Sequence, residues 1–137
     1  MTTAKTRAAE ALFPMLSVFH LISGQPLQAV WQVQTEGCLG EFLFSFGSNT
    51  LSVSVVEEDD SIEISASVAT DSANRFDVSG QEPWSMFLGK PFGWGWLTVN
   101  QQGYCDGVLL SFGGIMPQVM LNVVASSIKV CVIAATR

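Results

Sequence analysis

The chain has 137 residues, enough for one domain with a sizeable hydrophobic core that needs no disulfide bonds. Its formal net charge is −6 and its six basic residues are scattered, which excludes the positive patch that a nucleic acid partner requires. Only 13% of the residues are charged while 48% are hydrophobic, which is few charged residues for the surface of a monomer. The composition therefore predicts a homo-oligomer, most simply a dimer.

The cysteines and the histidine argue against stabilising crosslinks and metal sites. The chain has three cysteines, an odd number, and they are widely spaced at Cys38, Cys105 and Cys131. This pattern predicts free thiols and a cytoplasmic protein. They have no C-x-x-C spacing, and His20 is the only histidine, so we expect no metal and no cofactor.

Residues 1–23 have apolar positions at helical spacing and predict an N-terminal helix, or two short helical turns broken near Pro14. The apolar run from Ala11 to Ile22 is too short to span a bilayer and contains Pro14 and His20, so no membrane association is expected.

Residues 24–68 alternate between apolar and polar side chains, which is typical of half-buried strands. Four successive strands joined by short turns predict an antiparallel meander. Their apolar faces are assigned to Leu27, Ala29, Trp31 and Val33, then Phe42, Phe44 and Phe46, then Leu51, Val53 and Val55, then Ile62, Ile64, Ala66 and Val68.

Residues 69–83 are polar, have no sustained periodicity and are interpreted as a linker loop. Pro83 suits the first position of a short helix that ends at Gly89. A second unit, residues 84–137, then has strands predicted near 92–100, 104–112, 117–125 and 128–134.

The two units resemble each other. Gly24, Pro26 and Trp31 recur as Gly89, Pro91 and Trp96 at an offset of 65, and Gly37 with residues 45–47 recurs as Gly103 with residues 111–113 at an offset of 66. The sequence therefore predicts one α+β domain, mainly antiparallel β, in which a duplicated meander forms a sandwich or flattened barrel beside the N-terminal helix and the short inter-repeat helix.

One face of the first predicted strand of the second unit lacks polar side chains. Gly93, Gly95, Leu97 and Val99 stand where the first unit has mostly glutamines, so we expect this face to pack under the N-terminal helix or to form an interface with a second subunit. Phe92, Trp94 and Trp96, on the other face, are interpreted as core residues, with a ligand cavity as the alternative.

The segment from Asn100 to Gly107 is rich in polar residues and glycine and is interpreted as a hairpin loop. As a functional alternative, Trp96, Asn100, Tyr104 and Asp106 would bind a small molecule. The cavity would be lined by Trp31, Trp94, Trp96 and Phe112 and rimmed by Tyr104 and Asp106. A hydrolase or isomerase that uses Asp106, Tyr104 or Cys105 is a further alternative, although no activating base lies nearby in the sequence.

The run Phe87-Leu88-Gly89-Lys90-Pro91, then Trp96, then Asn100-Gln101-Gln102-Gly103-Tyr104-x-Asp106-Gly107 resembles small uncharacterised bacterial proteins that form a domain-of-unknown-function family. The resemblance implies no activity, cofactor or site residue. The leading interpretation of the sequence is a non-enzymatic binding or interaction module. In a variant of this interpretation, the acidic chain is an inhibitor or immunity-type protein that binds a basic protein partner.

Overall fold

The computed structural model describes residues 4–35, 37–67 and 75–133. Within them, helix α1 spans Ala4–Ile22 and a short 3₁₀ helix spans Trp84–Met86. The strands are β1 (Ala29–Thr35), β2 (Cys38–Phe46), β3 (Asn49–Val56), β4 (Ser61–Ser67), β5 (Arg75–Asp77), β6 (Phe92–Val99), β7 (Cys105–Phe112), β8 (Val119–Val124) and β9 (Ser127–Val132).

The strands form two antiparallel sheets, with the orders β4-β3-β2-β1-β5 and β6-β7-β8-β9. The sheets pack together, with β4 against β7 and β8, and β2 against β9. Phe42 and Phe44 from the first sheet and Leu110 and Leu121 from the second are fully buried in the core. The predicted fold class is confirmed, and of the two predicted arrangements the chain adopts the packed pair of sheets.

Helix α1 covers part of this core. Met15, Phe19 and Ile22 are buried at helical spacing. The helix runs unbroken through Pro14, whose side chain is exposed, so the predicted break near this residue does not occur. No helix of the described residues is both long enough and apolar enough to cross a bilayer.

A short bridge joins the two halves of the chain. Pro26 pairs with Pro91, and four backbone hydrogen bonds of 2.7–3.0 Å surround this pair. The donor-to-acceptor pairs are Gly24 to Phe92, Gly89 to Leu27, Leu27 to Lys90 and Phe92 to Gln25. Shifting each residue number by 65, towards the other half of the chain, converts the first bond into the second and the third into the fourth. The bridge therefore has local two-fold pseudosymmetry.

Strand β1 differs from its predicted phase. Val30, assigned to the polar face, is fully buried, whereas Trp31 lies half-buried on the outer face, 4.5 Å beneath the guanidinium of Arg75. The prediction counted every second residue from Leu27, but Leu27 is buried before the strand begins at Ala29. The alternation within the strand is therefore not in phase with Leu27.

The predicted linker contains a strand that its polar composition concealed. Strand β5 pairs antiparallel with β1 through Trp31 and Asp77, Gln32 and Phe76, and Val33 and Arg75. The remainder of the predicted linker up to residue 74 lies outside the described residues.

Candidate functional site

A β-bulge in β6 decides which side chains reach the surface of the second sheet. Phe92 pairs with Phe112 and Gly95 pairs with Leu110, so that Gly93 and Trp94 together lie opposite the single residue Ser111. The fully buried Ser111 hydroxyl holds the bulge. Its Oγ accepts a hydrogen bond from the Trp94 backbone N–H at 2.8 Å and donates one to the Gly114 carbonyl at 2.7 Å.

The bulge turns two tryptophans outward. Phe92 is buried, but the extra residue shifts the alternation, and Trp94 is 56% exposed while Trp96 is half-buried. The two rings stack with centroids 6.3 Å apart and planes inclined by 24°. The interpretation of Trp94 and Trp96 as core residues is therefore wrong, and it holds for Phe92 alone.

The same shift turns Gly95 and Leu97 inward. A side chain on Gly95 would meet the ring of Phe19, because α1 lies directly over this position, and Leu97 packs against the core. This arrangement is the first of the two that the sequence predicted, cover by the N-terminal helix. Gly93 faces the Gly114 carbonyl across the bulge, and Val99 is exposed at the end of the strand, so the four predicted interface residues form no continuous outer surface.

The outward side of the second sheet has an apolar row across all four strands. Trp96 pairs with Leu109, Leu109 with Met120 and Met120 with Cys131. Directly opposed residues of antiparallel strands project to the same side of a sheet. We call Trp94, Trp96, Leu109 and Met120 the tryptophan face. The next row on this side is Thr98, Gly107, Asn122 and Lys129.

The predicted ligand residues at the end of β6 and β7 have structural partners. Asn100 Oδ1 accepts hydrogen bonds from the backbone N–H groups of Gln102 and Tyr104, which fixes the hairpin turn. Asp106 is the extra residue of a second bulge, and its carboxylate accepts a 2.9 Å bond from the Thr98 hydroxyl. Trp96 lies on the outer side of the sheet through its pairing with Leu109, and Asp106 lies there through its bond to Thr98.

The sequence predicted a single cavity lined by four aromatic residues, and the structure does not assemble it. Trp31 lies on the first sheet, Phe112 is buried in the core, and Trp94 and Trp96 lie on the tryptophan face. A groove of about 350 Å³ does lie beside Trp94. It is lined by Leu16, Phe19, His20, Ser23, Gly93, Trp94 and Gly95.

Cys105 is a poor nucleophile. The residue is 4% exposed, and burial raises the pKa of its thiol to about 11. The described residues contain no group of three or more histidine, cysteine, aspartate or glutamate side chains placed to hold a metal ion.

We expect the thiols of Cys105 and Cys131 to differ sharply in alkylation. At pH 8 iodoacetamide should modify the exposed Cys131 and leave Cys105 unmodified in the folded chain, as read by mass spectrometry of peptides. Because folding raises the pKa of Cys105 from its ordinary value of about 9.0 to about 11, its neutral thiol contributes stability that is complete below about pH 9 and declines as the pH rises towards 11. Rapid modification of Cys105 at pH 8 would contradict this placement and reopen the hydrolase alternative.

Sequence reasoning missed Leu109 and Met120 as surface residues. Both lie within apolar stretches, Val108 to Leu110 and Val119 to Leu121, where every residue looks like core. The signal that could have identified the tryptophan face is the Gly93-Trp94-Gly95 run, because glycine within a strand commonly marks a bulge.

A family model matches residues 10–137 and is described as a family of unknown function, DUF6334. Comparison with curated proteins and with solved structures gave no match. The match covers nearly the whole chain, including both sheets, and agrees with the resemblance noted on the second half. The chain therefore belongs to the DUF6334 family, a family of unknown function.

Proposed function

We propose that this protein is a non-enzymatic interaction module that binds a protein surface through the tryptophan face. The observation that supports the proposal is the exposed Trp94–Trp96 stack on a sheet side that continues into Leu109 and Met120. Tryptophan is enriched in binding hot spots because it buries a large area and loses little conformational freedom. Of the two other tryptophans, Trp84 is buried in the core and the half-buried Trp31 has the Arg75 guanidinium over its ring.

The shape and charge of the tryptophan face favour a protein as the occupant. Small molecules bind in concave sites that enclose them, whereas this surface is the side of a four-stranded sheet. A nucleic acid would need clustered basic residues, and Lys129 is the only basic residue in the rows that cross this side. A partner with an uncharged, apolar centre is the complement of this face.

Oxidative footprinting tests the proposal. The full chain is exposed to hydroxyl radicals in dilute buffer, in a concentrated sample and in a soluble extract of its source organism, and oxidation of each tryptophan is measured by mass spectrometry. We expect the concentrated sample or the extract to protect Trp94 and to leave oxidation of Trp31 unchanged, because Trp31 lies on the outer face of the other sheet. Equal oxidation of Trp94 under all three conditions would overturn the proposed function.

The groove beside Trp94 supports a second candidate function, the binding of a small molecule. Its volume of about 350 Å³ fits a small ligand, and His20 and Ser23 supply polar groups opposite Trp94. The same footprint separates the two candidates. Protection of Trp94 by extract from which proteins have been removed would favour the small molecule, whereas protection lost with the proteins favours the interaction module.

The proposal also places the protein in the cytoplasm. None of Cys38, Cys105 and Cys131 forms a disulfide, and an odd number of free thiols suits a reducing compartment. The exposed Cys131 would be open to oxidation elsewhere.

We further infer that the two meanders arose by duplication of one unit. The support is the pseudosymmetric bridge around Pro26 and Pro91. In addition, the six glycines with positive φ form three pairs at the sequence offsets of 65 and 66: Gly24 and Gly89, Gly37 and Gly103, and Gly47 and Gly113.

A further inference from the structure

We propose that the partner of the tryptophan face is a second copy of this chain, bound by two-fold symmetry with strand β6 of each copy opposite β9 of the other. This inference rests on the proposed function and adds to it the identity and the orientation of the partner. It is carried by the order of residues along the two rows that cross the outer side of the second sheet.

The apolar row is complementary to itself in this orientation. A two-fold axis parallel to the strands and lying between two facing sheets exchanges β6 with β9 and β7 with β8, and keeps each row opposite itself. Leu109 of one copy then faces Met120 of the other, and Trp96 faces Cys131. Both contacts join apolar or weakly polar side chains, and the axis repeats each of them.

The polar row is complementary in charge in the same orientation. Lys129 lies at the β9 end of this row, and its side chain is exposed. Thr98 lies at the β6 end, and its hydroxyl donates a hydrogen bond to the carboxylate of Asp106, the bulge residue of β7. The two-fold axis places Lys129 of each copy towards Asp106 of the other, so that two opposite-charge pairs form beside the apolar row, one on each side of the axis. An axis perpendicular to the strands would instead place Lys129 opposite β9 of the second copy.

The charge of the whole chain makes the neutral centre of this face significant. Two chains of net charge −6 repel each other, so self-association is favoured only through a surface that brings few like charges together. The tryptophan face contains no ionisable side chain, and Asp106 and Lys129, the charged residues beside it on the outer side of the sheet, have opposite signs.

The size of the face predicts a weak dimer. The four strands of the second sheet are about seven residues long and about 4.8 Å apart, so its whole outer side measures roughly 19 by 23 Å, and two such sides bury about 900 Å². This area is below the roughly 1,200–2,000 Å² of stable complexes, so dimerisation should depend on concentration.

Sedimentation velocity of the full chain over a wide concentration range tests the inference. The wild-type chain should shift from 14.8 kDa towards twice that mass as its concentration rises. Lys129→Glu should weaken the association constant by about tenfold, because it turns both attractive pairs into repulsive ones. Lys90→Glu makes the same change in net charge beside the 113–118 loop and should have a much smaller effect.

Asp106→Asn identifies the orientation, because an asparagine oxygen can still accept the bond from Thr98. In the wild-type background it should weaken the dimer by removing an attraction. In the Lys129→Glu background it should strengthen the dimer by removing a repulsion. The same sign of effect in both backgrounds would overturn the proposed orientation.

A strictly monomeric wild-type chain at the highest concentration would overturn the second copy as partner. The proposed function fails separately, because it is overturned only if neither a concentrated sample nor the extract protects Trp94 from oxidation. Protection of Trp94 in extract together with a monomeric pure protein would retain the function and replace the partner.

Discussion

Replacing Gly93 by alanine should lower the free energy of unfolding by about 3 kcal/mol, at the upper end of the cost of overpacking. A Cβ atom at this position would overlap the carbonyl oxygen of Gly114 and would lie 2.7 Å from Ser111 Oγ. That oxygen cannot move away freely, because it accepts the bond from the same Ser111 hydroxyl that holds the Trp94 backbone N–H. The substitution therefore opposes the bulge that turns the tryptophans outward. Urea unfolding followed by circular dichroism measures the effect.

Gly114→Ala is the matched control for Gly93→Ala. The two glycines face each other across the bulge, but a Cβ atom on Gly114 would have no heavy atom within 4 Å apart from those of Gly114 and its two neighbours in the chain. We expect a change of about 0.5 kcal/mol or less, which is usual for an exposed position. Equal losses for the two variants would show that the close approach at Gly93 is not what constrains this bulge.

Gly95→Ala should lower the free energy of unfolding by about 2 kcal/mol, because its Cβ atom would lie 2.5–2.6 Å from three ring atoms of Phe19. Phe19 is 6% exposed and stacks on Phe92 with ring centroids 5.8 Å apart, so its ring has little room to retreat.

A double-mutant cycle with Phe19→Leu shows whether this contact is the cause. The smaller side chain should recover part of the loss in the Gly95→Ala background, although it is itself destabilising in the wild-type background. Strict additivity of the two changes in free energy would contradict the docking of helix α1 over strand β6.

Strand positions were predictable because period-two alternation is a local property. Phe44, Leu51 and Ile64 on β2, β3 and β4 are buried as the sequence predicts. Ala66, near the end of β4, is exposed although it was assigned to the apolar face, Val55 is half-buried, and Val68 lies outside the described residues. The strand β5 could not be predicted in the same way. Its three residues are too few to show a period, and it exists because its backbone pairs with the edge of β1.

The phase of β6 failed for a physical reason that alternation cannot reveal. A bulge inserts one residue into a strand. Side chains at every second position therefore point to one side of the sheet before the bulge and to the opposite side after it. Phe92 was therefore placed correctly, whereas Trp94 and Trp96 were assigned to the wrong side. What holds the bulge is the hydrogen bond that the Trp94 backbone N–H donates to Ser111 Oγ, and Ser111 is 17 residues away along the chain.

The candidate site was predicted only in part, because its residues come from four strands. The sequence identified Trp96 and Asp106 as candidates, but it offered no means of placing Leu109 and Met120 beside them, since cross-strand register arises only in the folded sheet. Asn100 was a reasonable candidate by residue type. The backbone donors of its own turn use its carbonyl oxygen, which is the common role of asparagine in a hairpin.

The most direct measurement records the indole N–H resonances of all four tryptophans by NMR, in dilute and concentrated samples and in the presence of extract. A bound partner should shift or broaden the signals of Trp94 and Trp96, which form the outward stack, and leave those of Trp31 and Trp84 unchanged. Resonances of Trp94 and Trp96 that stay unchanged in every sample, or a response confined to Trp31, would contradict the tryptophan face as the binding surface.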